Sequence, residues 1–121
     1  MVVDELDALR STHSSCKTLA FADISTKMIL VTDTGSNLPR EALDALCSEA
    51  ALVLGTNGKI ALGAHPSQAA LMADKKSVRV FLRAANEPSD VLCCVCAPNV
   101  DVDKFVANAT DCLNRISSGG A

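Results

Sequence analysis

The sequence predicts an α+β domain built on a five-stranded, mainly antiparallel sheet with helices on both of its faces. Amphipathic segments and apolar, β-rich runs follow one another in the order helix, strand, strand, helix, strand, strand, strand, helix. The connections between successive strands are too short for the crossovers that a parallel sheet needs. Several of the strands are apolar without interruption, which indicates that both faces of the sheet are covered.

The composition fits one globular domain, which we place at residues 1–117, followed by a flexible tail at 118–121. The chain has 121 residues, of which 49% are hydrophobic and 21% charged, and its formal net charge is -3. This mildly acidic balance, with three Phe and no Trp or Tyr, argues against a nucleic-acid partner. No apolar run reaches the ~18 residues of a membrane span, and the acidic start is unlike a secretory signal. We therefore expect a cytoplasmic protein with no membrane partner.

The N-terminal part of the chain predicts a helix followed by a β-hairpin. Apolar positions recur at helical spacing in residues 2–13, where the shared face is formed by Val2, Leu6, Leu9 and His13. Thr18–Asp23 and Met28–Asp33 then form two strands around a short polar turn, and Asp23 and Asp33 end them. Because the second strand is apolar at four consecutive positions, we expect both sides of the sheet to be covered.

The second helix is predicted from Pro39 to Leu54, with Gly55 as its C-terminal cap. Its main apolar stripe contains Leu43, Leu46, Cys47, Ala50 and Leu54. A second apolar face remains, and its members are Ala42, Ala45, Leu52 and Val53. This extra face predicts a further partner for the helix. Residues 56–67 support no firm prediction.

The C-terminal half predicts three strands and the clearest helix of the chain. The strands are Gln68–Ala73, Val78–Ala84 and Val91–Ala97. Seven consecutive apolar residues make Val91–Ala97 the expected central strand. The last helix carries a nearly complete apolar stripe, formed by Val102, Phe105, Val106, Ala109, Cys112, Leu113 and Ile116.

The six cysteines and two histidines suggest no catalytic or metal site. All six cysteines lie in apolar periodic segments, which favours a reduced protein with buried thiols. Cys93 and Cys96 have C-x-x-C spacing, but on a strand they point to opposite faces, and no second Cys or His pair completes a site. No G-x-S-x-G motif accompanies His13 or His65. We expect no catalytic residue, no metal and no cofactor.

Three side chains on the fourth strand form a candidate partner patch. Arg79, Phe81 and Arg83 share one face of this strand. The simpler interpretation is that the arginine stems lie over a half-exposed sheet face. The alternative is a surface that contacts a partner protein, because Arg and Phe are favoured at interfaces.

The order of elements from Val2 to Ile116 resembles the roadblock (dynein light chain) family. The run Phe21–Leu30 and the helix at Pro39–Leu54 are similar to that family's first hairpin and second helix. The resemblance implies a profilin-like sheet with the last strand in the middle. It also implies that the first and third helices cover one face and the second helix the other.

The resemblance further implies a symmetric homodimer formed by the second helix and the third strand. Carried over to this sequence, the interface residues are Ala45, Glu49, Leu52, Val53, Gln68, Ala69, Ala70, Leu71, Met72 and Ala73. The apolar surface left on the second helix and the edge position of the third strand support this placement. Members of the family often regulate small Ras-like GTPases, which makes such a GTPase the implied partner.

These observations predict a non-catalytic, homodimeric regulatory or scaffolding module. Two alternatives stay open. The first is a ligand-sensing module of profilin-like or PAS-like architecture, in which the small residues Ala20, Ala22, Cys94 and Cys96 would leave a cavity. The second is an enzyme with a cysteine nucleophile, which requires a reactive thiol of low pKa.

Overall fold

A computed structural model describes residues 2–54 and 68–117. Its eight elements are α1 (Val2–Thr12), β1 (Cys16–Asp23), β2 (Met28–Thr32), α2 (Arg40–Leu54), β3 (Ala69–Ala73), β4 (Val78–Arg83), β5 (Asp90–Cys96) and α3 (Val102–Ser117). The predicted order of helices and strands is confirmed, and the bounds differ by a few residues. Gly55, residues 56–67 with His65, and the tail at 118–121 lie outside the described residues.

The five strands form one antiparallel sheet in the order β2-β1-β5-β4-β3. The prediction that Val91–Ala97 forms the central strand is confirmed, because β5 pairs with β1 on one side and with β4 on the other. Both sheet edges are therefore contributed by strands of hairpins, β2 at one end and β3 at the other.

Helices α1 and α3 cover one face of the sheet. Leu6 and Leu9 of α1 and Phe105 of α3 pack there against the strand residues Leu19 and Leu92. The apolar stripe predicted for α3 supplies its buried residues, because side chains at i, i+3, i+4 and i+7 share one side of a helix.

In the described part of the chain, helix α2 covers the opposite face. Leu46, Cys47 and Ala50 pack over Ala20 and Cys93, which are two fully buried small residues of the central strands. Cys93 and Cys96 belong to different core clusters and thus lie on opposite faces, as predicted. Helices on both faces confirm the expected architecture.

The prediction that both sides of the sheet are covered is confirmed at β2, and this strand also contains a β-bulge. Ala22 pairs with Ile29 but Phe21 pairs with Val31, so Leu30 is the extra residue. The bulge directs Ile29 toward α2 and Val31 toward the opposite core, and leaves Leu30 51% exposed. The consecutive apolar residues of β2 therefore do not share one environment. Ile29 and Val31 pack against opposite cores, and Leu30 is exposed to solvent at the sheet edge.

Candidate self-association surface

Among residues 2–54 and 68–117, no strand pairs with the outer edge of β3. The amide of Arg83 donates to the carbonyl of Gln68 at 2.8 Å, which makes Ala69 and its cross-strand neighbour a non-hydrogen-bonded pair of the ladder. Because the two kinds of pair alternate, the amide and carbonyl groups of Ala69, Leu71 and Ala73 point away from β4. This row is a template for pairing with another strand.

The side chains of β3 alternate between the two faces of the sheet. Ala70 and Met72 are half-buried and pack against the core under α2. Leu71 pairs with Val80, which belongs to the core on the other face, yet Leu71 is 46% exposed because neither α1 nor α3 reaches this edge. The strand thus offers an apolar side chain on a face that its own chain leaves open.

The solvent-facing side of α2 supplies further apolar surface. Leu52 is 63% exposed, and Ala45 is exposed two turns earlier. Val53, which we expected on this surface, is buried in the core under α2, because it lies three and seven residues after Ala50 and Leu46. Val53 therefore does not belong to the candidate surface of the described chain.

Glu49 is engaged within the chain by a bridge between three elements. The Arg79 Nε atom donates to Glu49 Oε1 at 2.6 Å, and Arg79 Nη1 lies 3.2 Å from Asp74 Oδ2. The hydrogen bond that Arg79 donates to Glu49 is the main cause that raises the pKa of Arg79 above its ordinary value. The bridge fixes α2 against β4 and the turn that precedes it, so Glu49 acts within the monomer as well as beside the candidate surface.

The expected partner patch of Arg79, Phe81 and Arg83 is not an exposed surface, and this prediction is corrected. Phe81 is fully buried beneath α2, and Arg83 is buried as well. Arg83 Nη2 donates to the carbonyl of Leu54 at 2.8 Å, where a cation also stabilises the helix end. Burial lowers the pKa of Arg83. The charge therefore serves the C-terminus of α2 rather than a partner.

A shallow groove runs beside α2. The four small residues that were expected to line a ligand cavity lie elsewhere, because they are fully buried in packed core. Ala20 and Ala22 lie under α2, and Cys94 and Cys96 lie under the other two helices. The groove measures about 350 Å³ and is lined by Leu38, Ala42, Ala45, Leu46, Glu49, Ser77, Arg79 and Val95. It borders the candidate surface and is open to solvent.

Burial opposes a nucleophilic role for most of the described thiols, whereas the hydrogen bond with Cys16 lowers the pKa of Cys96. All six cysteines are buried and unpaired. Burial raises the pKa of Cys112 to about 11 and raises the pKa values of Cys47, Cys93 and Cys94 as well. Within residues 2–54 and 68–117, no three His, Cys, Asp or Glu side chains are placed to hold a metal ion.

One polar cluster escaped the sequence analysis, which assigned Asp33 only to the end of a strand. The carboxylate of Asp33 is fully buried, accepts a hydrogen bond from the amide of Leu19 at 2.9 Å, and pairs with the guanidinium of Arg10. Arg10 also donates to the carbonyl of Lys17 at 3.0 Å. The cluster joins α1, β1 and the segment after β2. Its members are far apart in the sequence and form no recognisable motif.

Comparison with known proteins places the chain in the roadblock fold class. A roadblock/LC7 domain from Streptomyces avermitilis superposes with a TM-score of 0.71 at 7% identity over 94% of this chain and 92% of that chain. MglB from Myxococcus xanthus superposes with a TM-score of 0.72 at 15% identity, covering 98% of this chain and 95% of its own. A structure of MglB in a tetrameric arrangement gives a TM-score of 0.72 at 14% identity, with coverage of 99% and 90%.

These likenesses confirm the predicted roadblock fold, and at such low identities they establish the fold alone. No protein-family profile matches the chain, and no curated protein matches its sequence. None of the helices in the described part of the chain is long and apolar enough to cross a membrane.

Proposed function

We propose that the protein is a non-catalytic regulatory or scaffolding module that works as a homodimer joined through β3 and α2. The observation that carries the proposal is the open edge of β3, where Ala69, Leu71 and Ala73 present their backbone groups beside exposed leucines. An apolar sheet edge of this kind is a liability unless it is covered. A second copy of the same strand is the simplest cover, because a two-fold axis pairs a surface with itself.

The positions of the open backbone groups define the register of the proposed dimer. With the two-fold axis at Leu71, its amide and carbonyl exchange hydrogen bonds with the partner's Leu71. Ala69 then faces the partner's Ala73, and Ala73 faces the partner's Ala69. All the groups directed away from β4 are satisfied in this register, and the two sheets become continuous.

Side chains close the proposed interface on both faces of the joined sheet. The two Leu71 side chains meet on the face that α1 and α3 leave uncovered. On the opposite face, the α2 helices approach each other, which buries Leu52 and Ala45 and brings Ala70 and Met72 near the groove of the partner. The dimer interface we propose therefore contains Ala45, Glu49, Leu52, Gln68 and the strand Ala69–Ala73.

The experiment that tests the dimer removes one amide at the open edge. Proline at position 71 deletes an N–H that the β4 ladder does not use, so the monomer keeps its fold while the pairing strand loses its central bonds. We expect Leu71→Pro to be monomeric in light scattering across a dilution series under reducing conditions. Leu71→Val, which keeps the amide, should remain dimeric at high concentration.

Two further variants separate this interface from the other sheet edge. Leu52→Asp places a charge on the α2 side of the interface and should also give a folded monomer. Leu30→Asp changes a leucine of similar exposure on the β2 edge and should keep the mass of the unaltered protein. A monomeric unaltered chain would refute the dimer, and a dimer that only Leu30→Asp disrupts would move the interface to β2.

The resemblance to the roadblock family supports a small Ras-like GTPase as the partner of the dimer. The test is light scattering and calorimetry with purified small GTPases loaded with GDP or with a non-hydrolysable GTP analogue. Binding that the Leu71→Pro monomer loses would support a site formed by both protomers. Failure of every GTPase to bind the confirmed dimer would refute this partner while leaving the dimer intact.

We also place the protein in the cytoplasm. Six buried thiols without a disulfide support a compartment that keeps cysteines reduced. Fractionation of cells that express a tagged chain tests this assignment, and recovery in a secreted or membrane fraction would contradict it.

A further inference from the structure

Four of the six thiols are concentrated in one core, beneath α1 and α3. Cys16 of β1, Cys94 and Cys96 of β5 and Cys112 of α3 all belong to this cluster. Cys112 Sγ is engaged with the carbonyl of Glu5 at 3.6 Å. Only Cys16 and Cys96 have a thiol–thiol contact among the described hydrogen bonds, with their Sγ atoms 3.7 Å apart.

The strand pairing brings Cys16 and Cys96 together as a cross-strand pair. The two residues are direct partners of the antiparallel β1–β5 pairing, next to an irregularity in register between Cys16 and Thr18. The amide of Ala97 donates to the carbonyl of Ser15 at 2.7 Å, and this bond flanks the pair, so Cys16 and Cys96 form a non-hydrogen-bonded pair. In such pairs the Cα atoms are about 4.5 Å apart, which falls within the range of about 4.4–6.8 Å found for disulfides.

The other cysteines are less suitably placed. Cys93 and Cys94 are adjacent in β5 and belong to opposite cores, and Cys94 and Cys96 lie along one strand with a residue between them. Cys47 and Cys93 share the core under α2, and they supply the competing pair that an experiment must distinguish.

We propose that Cys16 and Cys96 are a latent dithiol that forms an intramolecular disulfide when the protein meets a low-molecular-weight disulfide such as oxidised glutathione. One of the two thiols attacks one sulfur of oxidised glutathione, which forms a mixed disulfide and releases one reduced glutathione. The other thiol then attacks the protein sulfur of that mixed disulfide and releases the second reduced glutathione. The protein loses two thiol hydrogens and two electrons, and one molecule of oxidised glutathione becomes two of reduced glutathione.

The surroundings of the pair make this oxidation slow in the closed native state. The hydrogen bond with Cys96 and burial raise the pKa of the Cys16 thiol, whereas the same hydrogen bond lowers the pKa of Cys96, which is fully buried and out of reach of an oxidant. Access requires opening of the corner between α1 and β1, where the amide of Cys16 donates to the carbonyl of His13 at 3.0 Å. Once formed, the bridge joins strands 80 positions apart in the chain and holds this corner closed.

The test equilibrates the whole chain in glutathione buffers of graded ratio, traps free thiols by alkylation in denaturant, and maps the cysteines by mass spectrometry. We expect an intact mass lower by two hydrogens before alkylation and one linked peptide pair containing Cys16 and Cys96. The oxidised protein should melt roughly 10 °C higher than the reduced protein. The matched control Cys112→Ser keeps the pair and should form the same bridge.

The outcomes separate the proposal from general thiol oxidation. A Cys16–Cys96 bridge in the unaltered chain and in Cys112→Ser, and none in Cys96→Ser, would support it. A bridge between Cys47 and Cys93, only mixed disulfides with glutathione, no oxidation at any ratio, or a Cys16–Cys96 bridge that lowers the melting temperature would each overturn it. Because the unaltered chain gives the deciding map, a variant that fails to fold does not affect the conclusion.

Discussion

Replacing Gly35 with alanine should destabilise the protein. The added methyl group would push the Arg10 side chain away from its ion pair with Asp33. A Cβ atom added to Gly35 would lie 2.5 Å from Arg10 Nη1 and 2.8 Å from Arg10 Cζ. The backbone at Gly35 is outside the left-handed region, so alanine itself is compatible with the local conformation. The steric conflict is therefore with the guanidinium that neutralises Asp33.

The magnitude follows from the burial of the two partners. The Asp33 side chain is fully buried and the Arg10 side chain is about one-third exposed. Loss of one partner of a fully buried pair costs about 3–5 kcal/mol, and the partial exposure of Arg10 reduces this. Because the guanidinium ends a flexible side chain and can shift, we expect Gly35→Ala to lower the free energy of unfolding by about 1–2 kcal/mol. For a chain of this length, that loss corresponds to a melting temperature roughly 5 °C lower.

A double-mutant cycle distinguishes this mechanism from a general effect of alanine in the segment. Arg10→Met removes the guanidinium, so Gly35→Ala in that background should be nearly neutral. Urea unfolding of the four proteins measures the cycle, and Asn37→Ala in the same exposed segment is the control. Additive losses in the cycle, or a loss below about 0.5 kcal/mol for Gly35→Ala alone, would refute the steric argument.

Two further predictions concern the buried aromatic and sulfur groups. Phe81→Ala should lower the free energy of unfolding, measured in urea, by about 3–5 kcal/mol, because Phe81 is fully buried under α2. A loss below about 1 kcal/mol would indicate that Phe81 is a surface residue after all. The raised pKa of Cys112 stabilises the fold below the ordinary thiol pKa of 9.0, and this contribution is lost as the pH rises through about 11. Urea unfolding at pH 8 to 10.5 should therefore show a steeper decline for the unaltered chain than for Cys112→Ser, and equal declines would contradict the assignment.

The sequence contained enough information for the element order and for the central strand. The uninterrupted apolar run at Val91–Ala97 predicted a strand with neighbours on both sides, and the structure places β5 there. The predicted stripe of α3 is buried as expected, because helical periodicity reports directly on which side faces a core. These features depend on local patterns, which a single sequence displays in full.

The predictions of which side chains are exposed to solvent failed where the local sequence pattern carries no information about exposure. Alternation along β4 separates its two faces but does not say that either faces solvent, so Phe81 and Arg83 were taken for surface residues. The carbonyl that accepts the Arg83 hydrogen bond belongs to Leu54, which is remote in the chain. The bulge in β2 changes register through one residue and leaves no compositional sign.

The candidate surface was only partly predictable for the same reason. Leu52 was identified because it lies off the main stripe of α2, whereas Val53 was assigned to the wrong side of the same helix. Which amides and carbonyls of β3 point away from β4 depends on which residue pairs of the two strands are hydrogen-bonded. The sequence does not show this alternation, and the structure does.

The central position of β5 has a consequence for how the chain acquires its structure during synthesis. The β1–β2 and β3–β4 hairpins contain only local contacts and form as soon as their residues are available. Neither hairpin can join the other until Asp90–Cys96 has been made, because β5 alone pairs with both. Between the synthesis of β4, which ends at Arg83, and the completion of β5 at Cys96, the nascent chain therefore carries two unconnected half-sheets with open edges, a state in which domain exchange and aggregation compete with folding. Folding of the whole sheet depends on the arrival of its penultimate element.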